Sequence, residues 1–104
     1  MTGYKILDEN MISFVAKMQY DLDVEYSVND EISLEGDKGF HFCTDIKEAL
    51  KWHPDKWSTN FRLFEVDTLD GEVIEGLYSC VSNKIKLVRE LDSKEILKRV
   101  INSL

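Results

Sequence analysis

The chain of 104 residues contains only two cysteines, one proline and five glycines, and it has no long apolar run. Because no stretch approaches the ~20 apolar residues of a membrane-spanning helix, we expect no membrane partner. The N-terminus also lacks the basic region and apolar stretch of a secretory signal. We therefore expect a cytoplasmic protein in which Cys43 and Cys80 stay reduced.

The composition that remains is that of a globular protein. Hydrophobic residues make up 43% of the chain, aromatic residues 11% and charged residues 32%. A chain of this length and composition has enough apolar content for one core. We predict a single domain over residues 1–104.

The net charge of −7 lies entirely in the first third of the chain. Residues 1–37 contain nine acids and only two bases, whereas residues 38–104 contain eleven residues of each sign. Between residues 21 and 37 there are seven acids and no base, and we call this stretch the acidic segment: Asp21, Asp23, Glu25, Asp30, Glu31, Glu35 and Asp37.

Such a charge distribution repels nucleic acid and attracts basic surfaces. Direct binding of DNA or RNA is therefore not expected. Two interpretations of the acidic segment remain open. It is either a set of solvated turns and edge strands that keeps the protein soluble, or a docking face for a basic protein, which includes the case of a nucleic-acid mimic.

The residue pattern predicts short elements. Strands are predicted at residues 4–7, 24–26, 31–34, 39–43, 61–68, 72–75, 78–82 and 84–90, and residues 11–18 fit either a short helix or a strand. The Asp70-Gly71 pair predicts a tight hairpin that places 72–75 antiparallel beside 61–68. In the last strand Ile85 and Leu87 are expected to face the core.

Two helices are predicted from their caps and apolar spacing. Asp45 begins one that continues to His53 and ends before Pro54. Asp92 or Ser93 caps a terminal helix with one apolar stripe, formed by Ile96, Leu97, Val100, Ile101 and Leu104. These elements indicate an α+β fold, a small, mostly antiparallel twisted sheet covered by the helices after Asp45 and Asp92.

The segment 39–45 places His41 and Cys43 directly before a helix, with His53 at its far end. These side chains could bind a metal or activate a nucleophile, but they lack the paired spacing of ordinary zinc sites. His41 and Cys43 also lie on the same strand face, where a packed polar pair is more typical than a catalytic one. We predict no metal site, no catalytic residue and no cofactor.

The whole chain resembles a family of short uncharacterised phage, prophage and bacterial proteins. Four segments carry the resemblance: Gly3-Tyr4-Lys5, residues 20–26, the sequence Gly-Phe-His-Phe-Cys at 39–43, and Lys-Ile-Lys-Leu-Val-Arg-Glu-Leu at 84–91. The resemblance implies a mobile-element protein that acts on host machinery. Relatives often have a further cysteine in the position of residues 35–38, which this chain lacks.

A more distant similarity is to ADP-ribosyltransferase-like domains, where a first strand, a Gly-Phe-His-Phe-type strand leading into a helix, and a late strand surround a nicotinamide dinucleotide. That similarity implies a nucleotide pocket at Lys5, His41 and Thr44, with Glu90 or Glu72 as the acidic partner. It also implies an ADP-ribosyltransferase-like fold.

The expected function is protein–protein interaction without catalysis. The acidic segment, together with an aromatic loop that carries Trp52 and Trp57, would bind and inhibit a host or phage protein with a basic surface. If a phage encodes the chain, this would take place in the host cytoplasm. The alternative is an ADP-ribosyltransferase-like nucleotide-binding domain, either active or degenerate.

Overall fold

Four strands form the larger sheet of the computed structural model, which describes residues 1–36, 38–55 and 58–103. The strands are β1 (Thr2–Leu7), β4 (Arg62–Asp67), β7 (Lys84–Leu91) and β2 (Glu25–Ser27), and they lie in the order β1-β4-β7-β2 with every pair antiparallel. β1 and β2 are the two edges of this sheet, and β4 and β7 form its centre.

The three remaining strands form a second antiparallel sheet. These are β3 (Phe40–Phe42), β6 (Cys80–Ser82) and β5 (Val73–Glu75), in the order β3-β6-β5. The two sheets meet at β1 and β3, where Tyr4 and Cys43 exchange backbone hydrogen bonds of 2.6 and 2.9 Å. Gly3 allows this approach, because a Cβ atom there would lie 2.5 Å from the Cys43 carbonyl oxygen.

The second sheet packs on one face of the larger sheet. Two helices, α1 (Ile46–Leu50) and α2 (Ser93–Asn102), cover the opposite face. Both begin as predicted: the Asp45 carboxylate accepts a hydrogen bond from Lys47 N, and the Asp92 carboxylate accepts one from Glu95 N. These bonds satisfy backbone donors that the first helical turn leaves free.

The core therefore lies in two layers on opposite faces of the larger sheet. Phe64 and Leu87 belong to the layer between the sheets, with Phe40 and Phe42 opposite them. Leu63 belongs to the layer beneath the helices. β7 contributes to both layers because the register shifts between Glu65 and Val66 of β4, and such a bulge moves later side chains to the other face.

The α+β class and the antiparallel arrangement are confirmed. The radius of gyration is 12.8 Å, close to the ~13 Å expected of a compact chain of this length. Ile85 and Leu87 are fully buried, as predicted. No helix in the described part of the chain is long and apolar enough to cross a membrane.

The predicted hairpin at Asp70-Gly71 is wrong. β5 pairs with β6 in the second sheet, because both edges of β4 are already occupied by β1 and β7. The left-handed residue of the turn is Leu69, with φ of 57°, rather than Gly71.

The predicted strand at 31–34 is also wrong. That segment is part of a loop closed by a hydrogen bond of 3.1 Å from Ser33 N to Lys38 O, with Ile32 buried. Residues 11–18, whose pattern fits either a short helix or a strand, form turns instead, with one isolated bridge between Ile12 and Gln19.

Each of the two predicted helices differs from the observed one, α1 in its length and α2 in the burial of its apolar stripe. α1 ends at Leu50, because Trp52 and His53 donate to carbonyls three residues earlier and the residue before Pro54 is disfavoured in a helix. The α2 stripe is only partly covered. Ile96 and Val100 pack on the core, Leu97 and Ile101 are exposed, and Leu104 lies outside the described residues.

Candidate functional site

The acidic segment lies at the surface. All six of its described acids are exposed, namely Asp21, Asp23, Glu25, Asp30, Glu31 and Glu35, and Asp37 lies outside the described residues. The segment runs along edge strand β2 and then into the loop before β3. It therefore has two parts with different surroundings.

The part along β2 is partly neutralised by lysines of β7. Lys86 forms an ion pair of 3.0 Å with Asp23 and lies opposite Glu25 in the ladder. The pKa of Lys86 is raised, first by its hydrogen bond to Asp23 and further by the charge of Glu25. The pKa of Lys84 is also raised, mainly by its bond to Asp70. The acids of β2 thus present less net charge than the sequence suggests.

The part after β2 keeps its charge. Among the described residues, none forms an ion pair with Asp30, Glu31 or Glu35. Acids without a neighbouring base project the strongest negative potential toward an approaching partner. This half of the segment is the stronger candidate for a docking face.

An apolar patch lies beside these acids. Leu34 is 38% exposed, and both of its δ-carbons lie 3.1 Å from the position of a Cβ atom on Gly76, in the loop between β5 and β6. The next two residues of that loop, Leu77 and Tyr78, are 86% and 67% exposed. Leu77 and Tyr78 lie in the loop of the hairpin that β5 and β6 form. We therefore call Leu34, Leu77 and Tyr78 the hairpin patch, and Glu35 follows Leu34 in the chain.

The structure describes no contact between Trp52, in the predicted aromatic loop, and the hairpin patch. Trp57 lies outside the described residues. Trp52 is 41% exposed, and its ring centroid lies 6.4 Å from that of His41. Trp52 therefore forms part of a cavity wall rather than part of an acidic docking face.

That cavity has a volume of about 70 Å³ and lies between β1, β3, α1 and the turn at residues 13–16. Its walls are mostly apolar, with Phe14, Ala16, Tyr20, Phe42 and Trp52 among the residues that form them. Lys5 and His41 also line it, so two residues of the predicted nucleotide pocket meet here.

Lys5 carries the amino group that lines the cavity. It lies on the β1 face that carries Leu7 into the layer between the sheets. Its Nζ atom donates a hydrogen bond to the His41 backbone oxygen and lies 5.5 Å from the centroid of the Tyr20 ring. Burial lowers the pKa of Lys5 from 10.5 to about 8, because the charged form loses its hydration.

Cys43 is a poor nucleophile in this setting. Burial raises its pKa from 9.0 to about 11, more than the opposing effects of the hydrogen bond from Trp52 and the Lys5 charge. The thiol is therefore protonated at neutral pH, whereas the thiolate is the reactive form. Cys43 and Cys80 are both buried free cysteines, in agreement with the expectation of reduced thiols.

The other residues of the predicted nucleotide pocket lie elsewhere. Thr44 is exposed and lines a separate open depression with Arg99 of α2. Glu90 forms an ion pair of 2.6 Å with Arg62 and does not line the cavity. The structure thus brings Lys5 and His41 together but places Thr44 and Glu90 apart from them.

Metal binding has no support in the described ranges of the chain. Within them, no three histidine, cysteine, aspartate or glutamate side chains lie close enough to hold an ion. His53, one of the three ligands considered from the sequence, packs between the rings of Phe14 and Phe61 at centroid distances of 4.7 and 6.0 Å.

Sequence reasoning missed the hairpin patch. Leu34 and Tyr78 were both expected in strands, at 31–34 and 78–82, and Leu77 directly precedes the second of these, so none of the three suggested an exposed surface. The sequence Gly76-Leu77-Tyr78 could have indicated this exposed surface, because a turn residue there precedes two large apolar side chains.

Comparison with known families gives one result. The family model described as a domain of unknown function, DUF7666, matches residues 1–99, and the chain belongs to this family. Comparisons with curated proteins and with solved structures find no match.

Proposed function

We propose that this DUF7666 protein has no catalytic activity and acts by binding, and thereby inhibiting, another protein that has a basic surface. The observation that carries the proposal is the hairpin patch, an exposed apolar surface beside acids that have no ion-pair partner among the described residues. Each of the two components has a distinct role in association.

The apolar component would supply binding energy. Tyr78 and Leu77 are 67% and 86% exposed, and large side chains of this kind gain most from being covered by a partner. Tyrosine is among the residues that most often dominate the binding energy of protein interfaces. Leu34 extends the same surface from the neighbouring loop.

The acidic component would supply specificity and rate. Glu35 follows Leu34 directly and Glu31 lies three residues before it. Charges at the rim of an interface steer an oppositely charged partner during encounter. The same charges oppose nucleic acid. The sequence resemblance to phage and prophage proteins makes a host or phage protein in the host cytoplasm the proposed class of partner.

The experiment is affinity capture from bacterial lysate at low and high salt, followed by titration of the purified partner. Leu77→Ser with Tyr78→Ser should weaken binding by at least tenfold. Glu31→Lys with Glu35→Lys should lower the association rate and reduce its dependence on salt, because screening acts on the steering charges.

Matched controls are available on other parts of the surface. Leu97→Ser with Ile101→Ser removes two exposed apolar side chains from α2, and Glu9→Lys with Glu72→Lys makes the same change in net charge as Glu31→Lys with Glu35→Lys. Both controls should bind as the wild type does. If the partner were bound equally well by the Leu77/Tyr78 variant, the hairpin patch would be excluded as the docking surface. Unchanged association of the Glu31/Glu35 variant would exclude steering by those two acids.

A second candidate function is an ADP-ribosyltransferase-like nucleotide-binding domain, active or degenerate. The supporting observation is that Lys5 and His41 line one cavity. A nicotinamide dinucleotide or ADP-ribose should then raise the melting temperature of the wild type, and Lys5→Gln should abolish the shift. If neither compound shifts the melting temperature of the wild type at millimolar concentration, this function is rejected.

A further inference from the structure

The cavity that contains Lys5 plays no part in the proposed docking surface. It combines mostly apolar walls with one cationic side chain, and apolar walls with a few placed polar groups are typical of small-molecule sites. The size of the cavity and its charge together restrict what could occupy it.

We propose that the cavity binds a small carboxylate with a short aliphatic body, whose carboxylate pairs with the Lys5 ammonium and whose body lies among Phe14, Tyr20 and Trp52. This inference goes beyond the proposed interaction with a protein and is independent of it.

Size sets the length of the ligand. The cavity volume is about 70 Å³, whereas an engineered apolar cavity of ~150 Å³ holds benzene and one water occupies roughly 10–15 Å³ on the same scale. The occupant is therefore smaller than benzene and corresponds to about five waters. Propionate, with five non-hydrogen atoms against the six of benzene, has this size, and Ala16 and Trp52 are exposed enough to leave an entrance.

Charge sets the chemistry of the ligand. Lys5 forms no ion pair with any carboxylate in the part of the chain that the structure describes. A lysine ammonium has three N–H donors, and the His41 backbone oxygen accepts one of them. The face of the Tyr20 ring stabilises the cation further but does not neutralise it. An anionic ligand would supply the missing counter-charge.

The neighbouring groups do not replace that counter-charge. Among the described residues, Cys43 is the titratable side chain whose charge affects Lys5, and its raised pKa of about 11 keeps it neutral at pH 7. A neutral ligand would leave the Lys5 ammonium without a counter-ion from the described part of the chain, and a cationic ligand would be repelled. Carboxylate is therefore favoured over amide, alcohol or amine.

Three probes of equal size and different charge test the proposal. Propionate, propionamide and butylamine, each with five non-hydrogen atoms, are titrated at pH 7 while the chemical shifts of the Trp52 indole N–H and the Lys5 side chain are followed by NMR. Propionate should cause saturable shifts of both groups, propionamide should bind at least tenfold more weakly, and butylamine should not bind.

Variants locate the site. Lys5→Met should weaken propionate binding at least tenfold, whereas Lys17→Met, at an exposed lysine on the adjoining turn, should not change it. If Lys5→Met does not fold, Ala16→Leu at the exposed entrance should block binding instead. Equal binding of propionate and propionamide, or unchanged propionate binding in the folded Lys5→Met or Ala16→Leu variant, would overturn the proposal.

Discussion

At the scale of single residues, the charged form of Lys5 lowers the stability of the fold. Its pKa falls from 10.5 to about 8 because burial removes the hydration of the ammonium. Between these two values the unfolded chain binds more protons than the folded protein, so the contribution of Lys5 to the free energy of unfolding rises with pH from about 8 upward. Cys43 acts in the opposite sense, since its pKa is raised from 9.0 to about 11 and its contribution is lost as pH rises through that range.

The first stability prediction concerns Lys5→Met. At pH 7 this change should raise the free energy of unfolding by about 1–2 kcal/mol, because the relief of desolvation exceeds the loss of the hydrogen bond to the His41 oxygen. The wild type should gain a little less than about 1 kcal/mol between pH 8 and 9 and change little between pH 9 and 10, where the gain from Lys5 and the loss from Cys43 nearly cancel. The variant lacks the Lys5 gain and should lose stability from about pH 9 upward. Urea unfolding at a series of pH values measures both effects.

Lys17→Met is the matched control, because Lys17 is exposed on the turn beside the cavity. It should leave the free energy of unfolding and its dependence on pH unchanged. A Lys5→Met variant that was less stable than the wild type at pH 7 would show that the ammonium has a stabilising partner in solution, and the argument for an anionic ligand would lose its basis.

The residues of the candidate sites were predictable to different degrees. The proximity of Lys5 and His41 was implied only by the resemblance to ADP-ribosyltransferase-like domains, because β1 and β3 lie far apart in the chain and no local pattern brings them together. The exposure of Leu77 and Tyr78 could not be predicted, because it depends on β5 pairing with β6 rather than with β4. A local apolar pattern predicts burial and carries no information about which sheet a strand joins.

At the scale of elements, strand positions were predicted better than strand partners. Alternation of side chains located β1, β4 and β7 to within one or two residues, since half-buried strands repeat every second residue. Pairing depends on which edges remain free after folding, and β4 has none because β1 and β7 flank it. A hairpin signal at Asp70-Gly71 was therefore overridden by the tertiary structure.

The second stability prediction concerns the start of α2. Asp92→Ala should lower the free energy of unfolding by about 1 kcal/mol, because it removes the acceptor of the Glu95 N–H at 2.8 Å. α2 has no fully buried residue, so its attachment depends more on this cap and less on packing. Urea unfolding followed by far-UV circular dichroism measures the loss.

Asp92→Asn is the control for this cap. The asparagine side chain keeps an oxygen acceptor, and asparagine is as good an N-cap as aspartate, so most of the stability should be retained. If Asp92→Ala and Asp92→Asn were equally destabilised, the negative charge at the helix start rather than the hydrogen bond would account for the effect.

At the scale of the whole molecule, the two core layers depend on the same pair of central strands. Leu63 of β4 packs beneath the helices and Leu87 of β7 packs between the sheets, and both are fully buried. β4 and β7 also pair with each other along most of their length. The sequence predicted the strands and helices that build this arrangement, but not the division into two sheets, because that division depends on the bulge in β7 and on long-range pairing.

The third stability prediction follows from this shared centre. Leu63→Ala and Leu87→Ala should each cost about 2–5 kcal/mol, and each should lower the stability of both layers together. Far-UV circular dichroism reports the helices on one side of the larger sheet, and near-UV dichroism reports the aromatic rings that pack on the other. The two signals should give the same melting temperature in the wild type and in both variants, because neither layer can persist after β4 and β7 separate. Two separate transitions in either variant would mean that one sheet keeps its structure without the other, and the layers would then be independent units.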